Sequence, residues 1–224
     1  MTAPIDNRRP IRSRDAGWAR RAAAMIARAG ISPDAVSAGA VVFAVIGCAA
    51  FVAAGAAHGL ARTGLLVAAA ATIQGRLICN LLDGMVAVEH GRGGPAGPIW
   101  NELPDRIADA LFLAGAGYGA AIAGVAWAKD AGWAVTALAV LTAYVRELGR
   151  DLGQPADFRG PGAKPQRMAL LTVFTLVSAI AEPPLCRPGA ILAVGLTFIG
   201  ILAAITVARR TFKLAACLAA QSGR

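Results

Sequence analysis

Residues 35–57 carry no charged side chain. As a helix at 1.5 Å per residue, this run is about 34 Å long, enough to cross the ~30 Å hydrocarbon core of a bilayer. A backbone in lipid must satisfy its own polar groups, which leaves helices and closed barrels. Further apolar runs recur along the chain. Apolar residues make up 57% of it and charged residues 16%, with a mean hydropathy of +0.58. A soluble domain carries more charge, and the Ala and Gly content suits close packing between membrane helices. The expected fold class is all-α and polytopic: six transmembrane helices preceded by an interfacial amphipathic helix.

The chain divides into a tail and interfacial helix over 1–30, a six-helix membrane domain over 31–210 and a short tail over 211–224. Within 14–29, Trp18, Ala22, Met25, Ile26 and Ala29 share one helical face, and Arg14, Arg21 and Arg28 share another, as in a helix lying in the membrane interface. Ser32 can cap the next helix, with Pro33 in its first turn. Span 1 covers 35–57, a turn follows over 58–63, and span 2 runs from about Gly64. Residues 88–100 read as a loop. Span 3 begins near Asn101, with Pro104 in its first turn, and closes at Lys129-Asp130. Span 4 covers 131–149. Its charge-free part, 131–145, is only about 22 Å long, so the helix should continue through Arg146, Glu147 and Arg150. A loop over 151–167 leads to span 5 at 168–184, ended by Glu182-Pro183-Pro184, and span 6 covers 188–208.

The chain holds 22 Lys and Arg against 13 Asp and Glu, a net charge of +9. With six spans, nineteen of the basic residues fall on the side of the termini and of the 2–3 and 4–5 loops, leaving Arg62, Lys129 and Arg187 opposite. The positive-inside rule makes the nineteen cytoplasmic. This distribution accounts for the charge without a nucleic-acid partner. The chain reads as an integral protein of a bacterial inner membrane with both termini cytoplasmic. Seven arginines and no apolar core in the first 30 residues argue against a signal peptide. Cys48, Cys79, Cys186 and Cys217 are scattered without metal or disulfide spacing and read as packing residues. His58 and His90 have no partner at ligand spacing.

The informative stretch runs from Asn80 to Asp109. Asn80, Asp83, Gly84 and Ala87 lie on one helical face, and Asn101, Asp105 and Asp109 on another. A carboxylate near membrane depth must face protein, water or a metal. Oxygen donors of this kind suit Mg2+ or Mn2+, which often binds one or two carboxylates together with substrate phosphates. Gly84 and the glycines that follow allow close approach to the backbone. Arg146, Arg150, Lys164 and Arg167 lie on the same side and can neutralise phosphate. For Asp109 a structural ion pair with Arg106 or Arg146 stands beside a role as substitute ligand.

The stretch resembles the CDP-alcohol phosphotransferase (CDP-alcohol phosphatidyltransferase) family, as a divergent member. The family pattern is D-x2-D-G-x2-A-R-x8-G-x3-D-x3-D. Here Asn80, Asp83, Gly84, Ala87, Val88, Gly97, Asn101 and Asp105 occupy those positions with every spacing kept. Asn80 and Asn101 replace acidic residues, and Val88 replaces the arginine, for which Arg92 and Arg76 are alternatives. Ser32-Pro33-Asp34-Ala35-Val36-Ser37 and Gly162-Ala163-Lys164 resemble further family segments.

The resemblance implies an enzyme that transfers a phosphatidyl group from a CDP-linked lipid donor, usually CDP-diacylglycerol, to an alcohol acceptor and releases CMP. It implies Mg2+ or Mn2+ held by Asn80, Asp83, Asn101 and Asp105, with Asp105 as catalytic base. It also implies a substrate site shaped by Gly84, Ala87 and Gly97, to which the basic residues Arg146, Lys164 and Arg167 on the same side would add charge. A homodimer among membrane lipids is the implied assembly. One metal, or a site completed by Glu89, Glu102 or Asp109, is the alternative to two metals. A family member that binds lipid or nucleotide without turnover is the alternative to an enzyme.

Overall fold

The computed structural model describes residues 16–89 and 97–222, and the described residues form seven helices. These are α1 (Gly17–Arg28), α2 (Pro33–Ala56), α3 (Gly59–Glu89), α4 (Gly97–Ile122), α5 (Ala128–Asp151), α6 (Lys164–Leu185) and α7 (Ala190–Ser222). Helix α1 ends at Gly30, whose φ of +76° lets Ile31 N–H turn back to the Ile26 carbonyl at 3.2 Å. Two residues later, Ser32 Oγ accepts from Ala35 N–H at 3.2 Å and starts α2, with Pro33 in the first turn. Among the described residues, three helices are long and apolar enough to cross a membrane: Pro33–Ala56, Gly59–Val88 and Ala190–Gln221.

Helices α2 to α7 close into a ring. Each packs on the next in the order α2, α4, α5, α7, α6, α3 and back to α2, while α4 also reaches α7 across the middle. Phe51, Leu66, Ile73, Phe112, Leu113, Met168, Leu171, Leu196 and Ile199 fill the centre. Small residues let the backbones approach. A Cβ on Gly132 would sit 2.8 Å from the Leu113 carbonyl oxygen, and one on Gly117 would sit 2.7 Å from that of Ala128, so α4 and α5 meet backbone to backbone. Between α2 and α4, a Cβ on Gly115 would meet Cys48 Cα at 2.9 Å. The four cysteines are free.

Several sequence expectations shift. The turn at 58–63 shrinks to residues 57–58, because α3 begins at Gly59. Helix α3 runs on through Val88 and Glu89 of the expected 88–100 loop, and α4 begins at Gly97 rather than near Asn101, which puts Pro104 in the helix interior; residues 90–96 lie outside the described residues. Helix α4 ends at Ile122, and Lys129-Asp130 belongs to the first turn of α5. Helix α6 starts at Lys164, and α7 runs unbroken through 211–222. Charge-free length marks the apolar middle of each helix, whereas hydrogen bonding carries the helix on into polar ends.

Helix α1 packs on the bundle through its small residues. Ala19, Ala23 and Ala27 pack on Leu81, Leu82, Met85 and Val86 of α3, while Trp18 and Met25 stay exposed. The bulk comes from α3, so the small face of α1 is the one that fits.

Gly132→Ala should lower stability in detergent by about 1–3 kcal/mol, because the added methyl group meets fixed backbone. Gly64→Ala, where a Cβ meets nothing within 4 Å, should cause no loss. Denaturant titrations of both variants in micelles check this. Equal losses would contradict the packing described.

Candidate functional site

The polar halves of α3 and α4 meet at one end of the ring, joined by the starts of α2 and α6. Arg76 on α3 is fully buried. Its Nη2 donates to Asp109 Oδ1 at 2.6 Å and to Asp105 Oδ1 at 3.2 Å. Asp109, one turn beyond Asp105 on α4, accepts through its other oxygen from Arg167 Nη2 on α6 at 2.7 Å. Arg167 Nη1 donates in turn to the Gly162 carbonyl at 2.7 Å and to Thr142 Oγ1 on α5 at 3.0 Å. Asp109 thus joins four structural units through two buried guanidinium groups. The pairing of Asp109 with Arg106 or Arg146 is corrected to Arg76 and Arg167. Only the position of Arg76 on the Asn80–Asp83 face hinted at this.

Asp105 is the hub of the exposed half. Asn80 Nδ2, one turn along α3 from Arg76, donates to its Oδ1 at 2.5 Å. Lys164 Nζ, at the first residue of α6, pairs with its Oδ2. Arg106 lies 3.7 Å from Oδ2. The segment before α6 is seated by close contact: a Cβ on Gly162 would run into the Leu202–Ala203 backbone of α7, and Gly162 N–H donates to Thr206 Oγ1 at 2.8 Å. That seat brings Lys164 and Arg167 to their carboxylates.

Asp83 is 7% exposed. Its Oδ2 accepts from Ser37 Oγ on α2 at 2.6 Å, while its buried Oδ1 has no hydrogen-bond partner among the described residues. Sequence reasoning did not single out Ser37 as a site residue, although it closes the Ser32–Ser37 segment. A buried carboxylate oxygen without a donor is costly and marks where a cation or a donor from a ligand would fit. Oxygen donors of this type suit Mg2+ or Mn2+. Among the described residues, no three His, Cys, Asp or Glu side chains gather around one point. Asp83 Oδ1, with amide and substrate oxygens beside it, is the donor a divalent ion would use here.

The remaining predicted residues are placed as follows. Gly84 and Ala87 lie on the last turns of α3, part-buried, and Gly97 opens α4 with free space around it. Asn101 lies on α4, but its side chain is outside the described residues, as is that of Glu89. Arg146 does not join Asp105. It pairs with Glu102 at 2.6 Å and Glu147 at 2.8 Å and covers the Phe158 ring at 5.4 Å.

Beside it opens a cleft of about 420 Å³, lined by Arg146, Gln154, Asp157, Arg210 and Lys213. Burial alone would raise the Asp157 carboxyl. The Lys213 ammonium at 2.7 Å and the Arg159 N–H at 2.9 Å outweigh burial and hold it below the usual carboxylate range.

The same helical arrangement occurs in the phosphatidylinositol phosphate synthase of Mycobacterium tuberculosis. The structure of that protein with manganese and citrate superimposes with a TM-score of 0.70 at 22% identity, covering 88% of each chain. Its complex with CDP-DAG gives a TM-score of 0.65 at 23% identity, covering 89% of this chain and 94% of that one. This chain has the CDP-alcohol phosphotransferase fold. The resemblance read from the motif agrees with this fold. A bifunctional IPC transferase and DIPP synthase of Rubrobacter xylanophilus is 33% identical over 155 residues. That match covers 66% of this chain and 32% of the relative, so the chain spans about a third of that protein's length. No family model matches the chain.

Asp109→Ala should destabilise the protein by about 3–5 kcal/mol, because two buried guanidinium groups lose their partner. Arg150→Ala removes an exposed partner of Glu147 and should cost less than about 1 kcal/mol. Unfolding in mixed micelles measures both. A small loss for Asp109→Ala would show that its ion pairs do not hold the site together.

Proposed function

We propose that this chain is an integral membrane phosphotransferase that moves the phosphatidyl group of CDP-diacylglycerol to an alcohol acceptor and releases CMP. The observation that carries the reading is the convergence on Asp105 of Asn80 from α3 and Lys164 from α6, at motif positions of a fold shared with a phosphatidylinositol phosphate synthase. On this reading all six ring helices span the membrane, and α1 lies in the cytoplasmic interface with Trp18 and Met25 toward lipid. Both termini and the site face the cytoplasm of a bacterial inner membrane.

In the proposed reaction the acceptor hydroxyl oxygen attacks the phosphorus that carries diacylglycerol. A new P–O bond forms, the P–O bond to CMP breaks, and CMP leaves with the bridging oxygen. Asp105 takes the hydroxyl proton on Oδ2 once the incoming diphosphate draws the Lys164 ammonium toward its own oxygens. Arg76 and Asn80 keep the Asp105 carboxylate in place during this exchange. Gly84, Ala87 and Gly97 leave room for the nucleotide, and Arg146 with the cleft beside it offers charge to an anionic acceptor. Asn80, Asp83, Asn101 and Asp105 would hold Mg2+ or Mn2+, which withdraws charge from the diphosphate when bound. Asn80 would offer its carbonyl oxygen to the ion while its amide N–H keeps Asp105.

A second reading is a binding protein without turnover. Both oxygens of Asp105 are already paired, which favours it. Purified protein incubated with CDP-diacylglycerol, a panel of alcohols and Mn2+ separates the two. The phosphotransferase reading expects CMP release, reduced at least about 10²-fold in Asp105→Asn, as for loss of a general base. No CMP with any acceptor would sink the enzyme reading, and undiminished release by Asp105→Asn would remove Asp105 from the base role.

A further inference from the structure

The carboxylates at this end of the ring are unequally committed. Both oxygens of Asp109 are taken by Arg76 and Arg167. Both oxygens of Asp105 are taken as well, Oδ1 by Asn80 and Arg76 and Oδ2 by Lys164. Two carboxylates thus face three cations, with Arg106 at 3.7 Å from Asp105 besides. Of these three, Asp83 is the one whose buried Oδ1 lacks a hydrogen-bond partner and whose carboxylate has no ion pair within 4 Å among the described residues.

A divalent ion placed against Asp105 would have to stand directly beside the ammonium that pairs with it, whereas one against Asp83 meets the Ser37 hydroxyl and the attraction of Asp105, with Lys164 acting on it only beyond ion-pair distance. Asn80 enforces the difference. Its amide N–H donates to Asp105, which a carboxylate at that position could not do. An Asp there would instead bring two negative charges together and call for a second cation.

We infer that the site binds one divalent cation per chain, on Asp83, and that the Lys164 ammonium supplies beside Asp105 the positive charge that a second cation would bring. The inference deepens the phosphotransferase reading and rests on it for the identity of the bound anion. In the loaded site a diphosphate lies between the ion on Asp83 and the ammonium of Lys164, so one of the three neutralising positive charges is built into α6. Charge supplied by a side chain needs no metal to be recruited, and it makes Lys164 a positioning residue for the donor diphosphate.

The test counts ions, not turnovers. Mn2+ binding to the full chain in micelles is titrated by electron paramagnetic resonance of the free ion, without substrate. The expected result is one Mn2+ per chain for the wild type, none for Asp83→Asn, and two for the double variant Asn80→Asp with Lys164→Met. Lys164→Met alone should keep one ion and bind it roughly tenfold more tightly, since a neighbouring like charge is gone. Each variant is first checked for unchanged helical content and unfolding midpoint. Two ions in the wild type, none, or one that survives Asp83→Asn would each overturn the inference. CMP release from CDP-diacylglycerol in the same preparations keeps the two claims apart. Release with two bound ions overturns this inference and leaves the phosphotransferase reading. One ion on Asp83 without release supports this inference and removes that reading.

Discussion

The grip of Asp109 on Arg76 and Arg167 is the interaction on which the rest of the site depends. A buried pair of this kind adds little net stability over an apolar replacement, because each charge gives up its hydration. Its value lies in direction. Arg76 is fixed to α3, Asp109 to α4 and Arg167 to α6, and Arg167 continues to Thr142 on α5 and to the Gly162 carbonyl. Once Asp109 holds both arginines, the start of α6 can lie in one place only, and Lys164 falls onto Asp105. The reactive half of the site therefore inherits its geometry from a carboxylate that needs no contact with substrate.

Small residues make this possible. The ring closes with helices near enough for Gly117 and Gly132 to touch opposing backbone, and Gly162 sits against the Leu202–Ala203 backbone. At such spacing a polar side chain reaches across to its neighbour. A second ionic link ties the opposite end: Arg62 Nη2 meets Glu182 Oε2 at 2.5 Å, and Glu182 Oε1 accepts from Ile191 N–H at 2.9 Å. The ring is thus apolar in its middle and fastened by buried charge at both ends, the arrangement expected where polar groups must find partners within the protein.

Much of this was legible in the sequence, for identifiable reasons. Apolar run length gave the helices, and the Ser32-Pro33 cap gave the start of α2. The fixed spacing from Asn80 to Asp105 pointed to the fold, and Asn80 and Asp105 do meet across α3 and α4. Helix ends were misjudged where polar residues continue a helix, as at Gly59 and Gly97. The packing partner of α1 was not legible, because nothing local pairs Ala19, Ala23 and Ala27 with Leu81 and Met85. The partners of Asp109 were missed because Arg76 and Arg167 lie 33 and 58 residues away, and no local periodicity reports a contact across three helices. Asn80 was read as an oxygen ligand, yet its amide nitrogen makes the observed bond. Residue type alone does not say which end of an amide is engaged.

The central claim is that charge fixed by the protein and one metal ion share a lipid diphosphate between α3, α4 and α6. The most direct measurement is a structure of the chain with CDP-diacylglycerol and Mn2+, using anomalous scattering to locate the metal. The account predicts a single manganese peak at coordinating distance from Asp83, with the diphosphate between it and Lys164. A diphosphate bound away from Asp83 and Lys164, or a second manganese seated against Asp105, would contradict it.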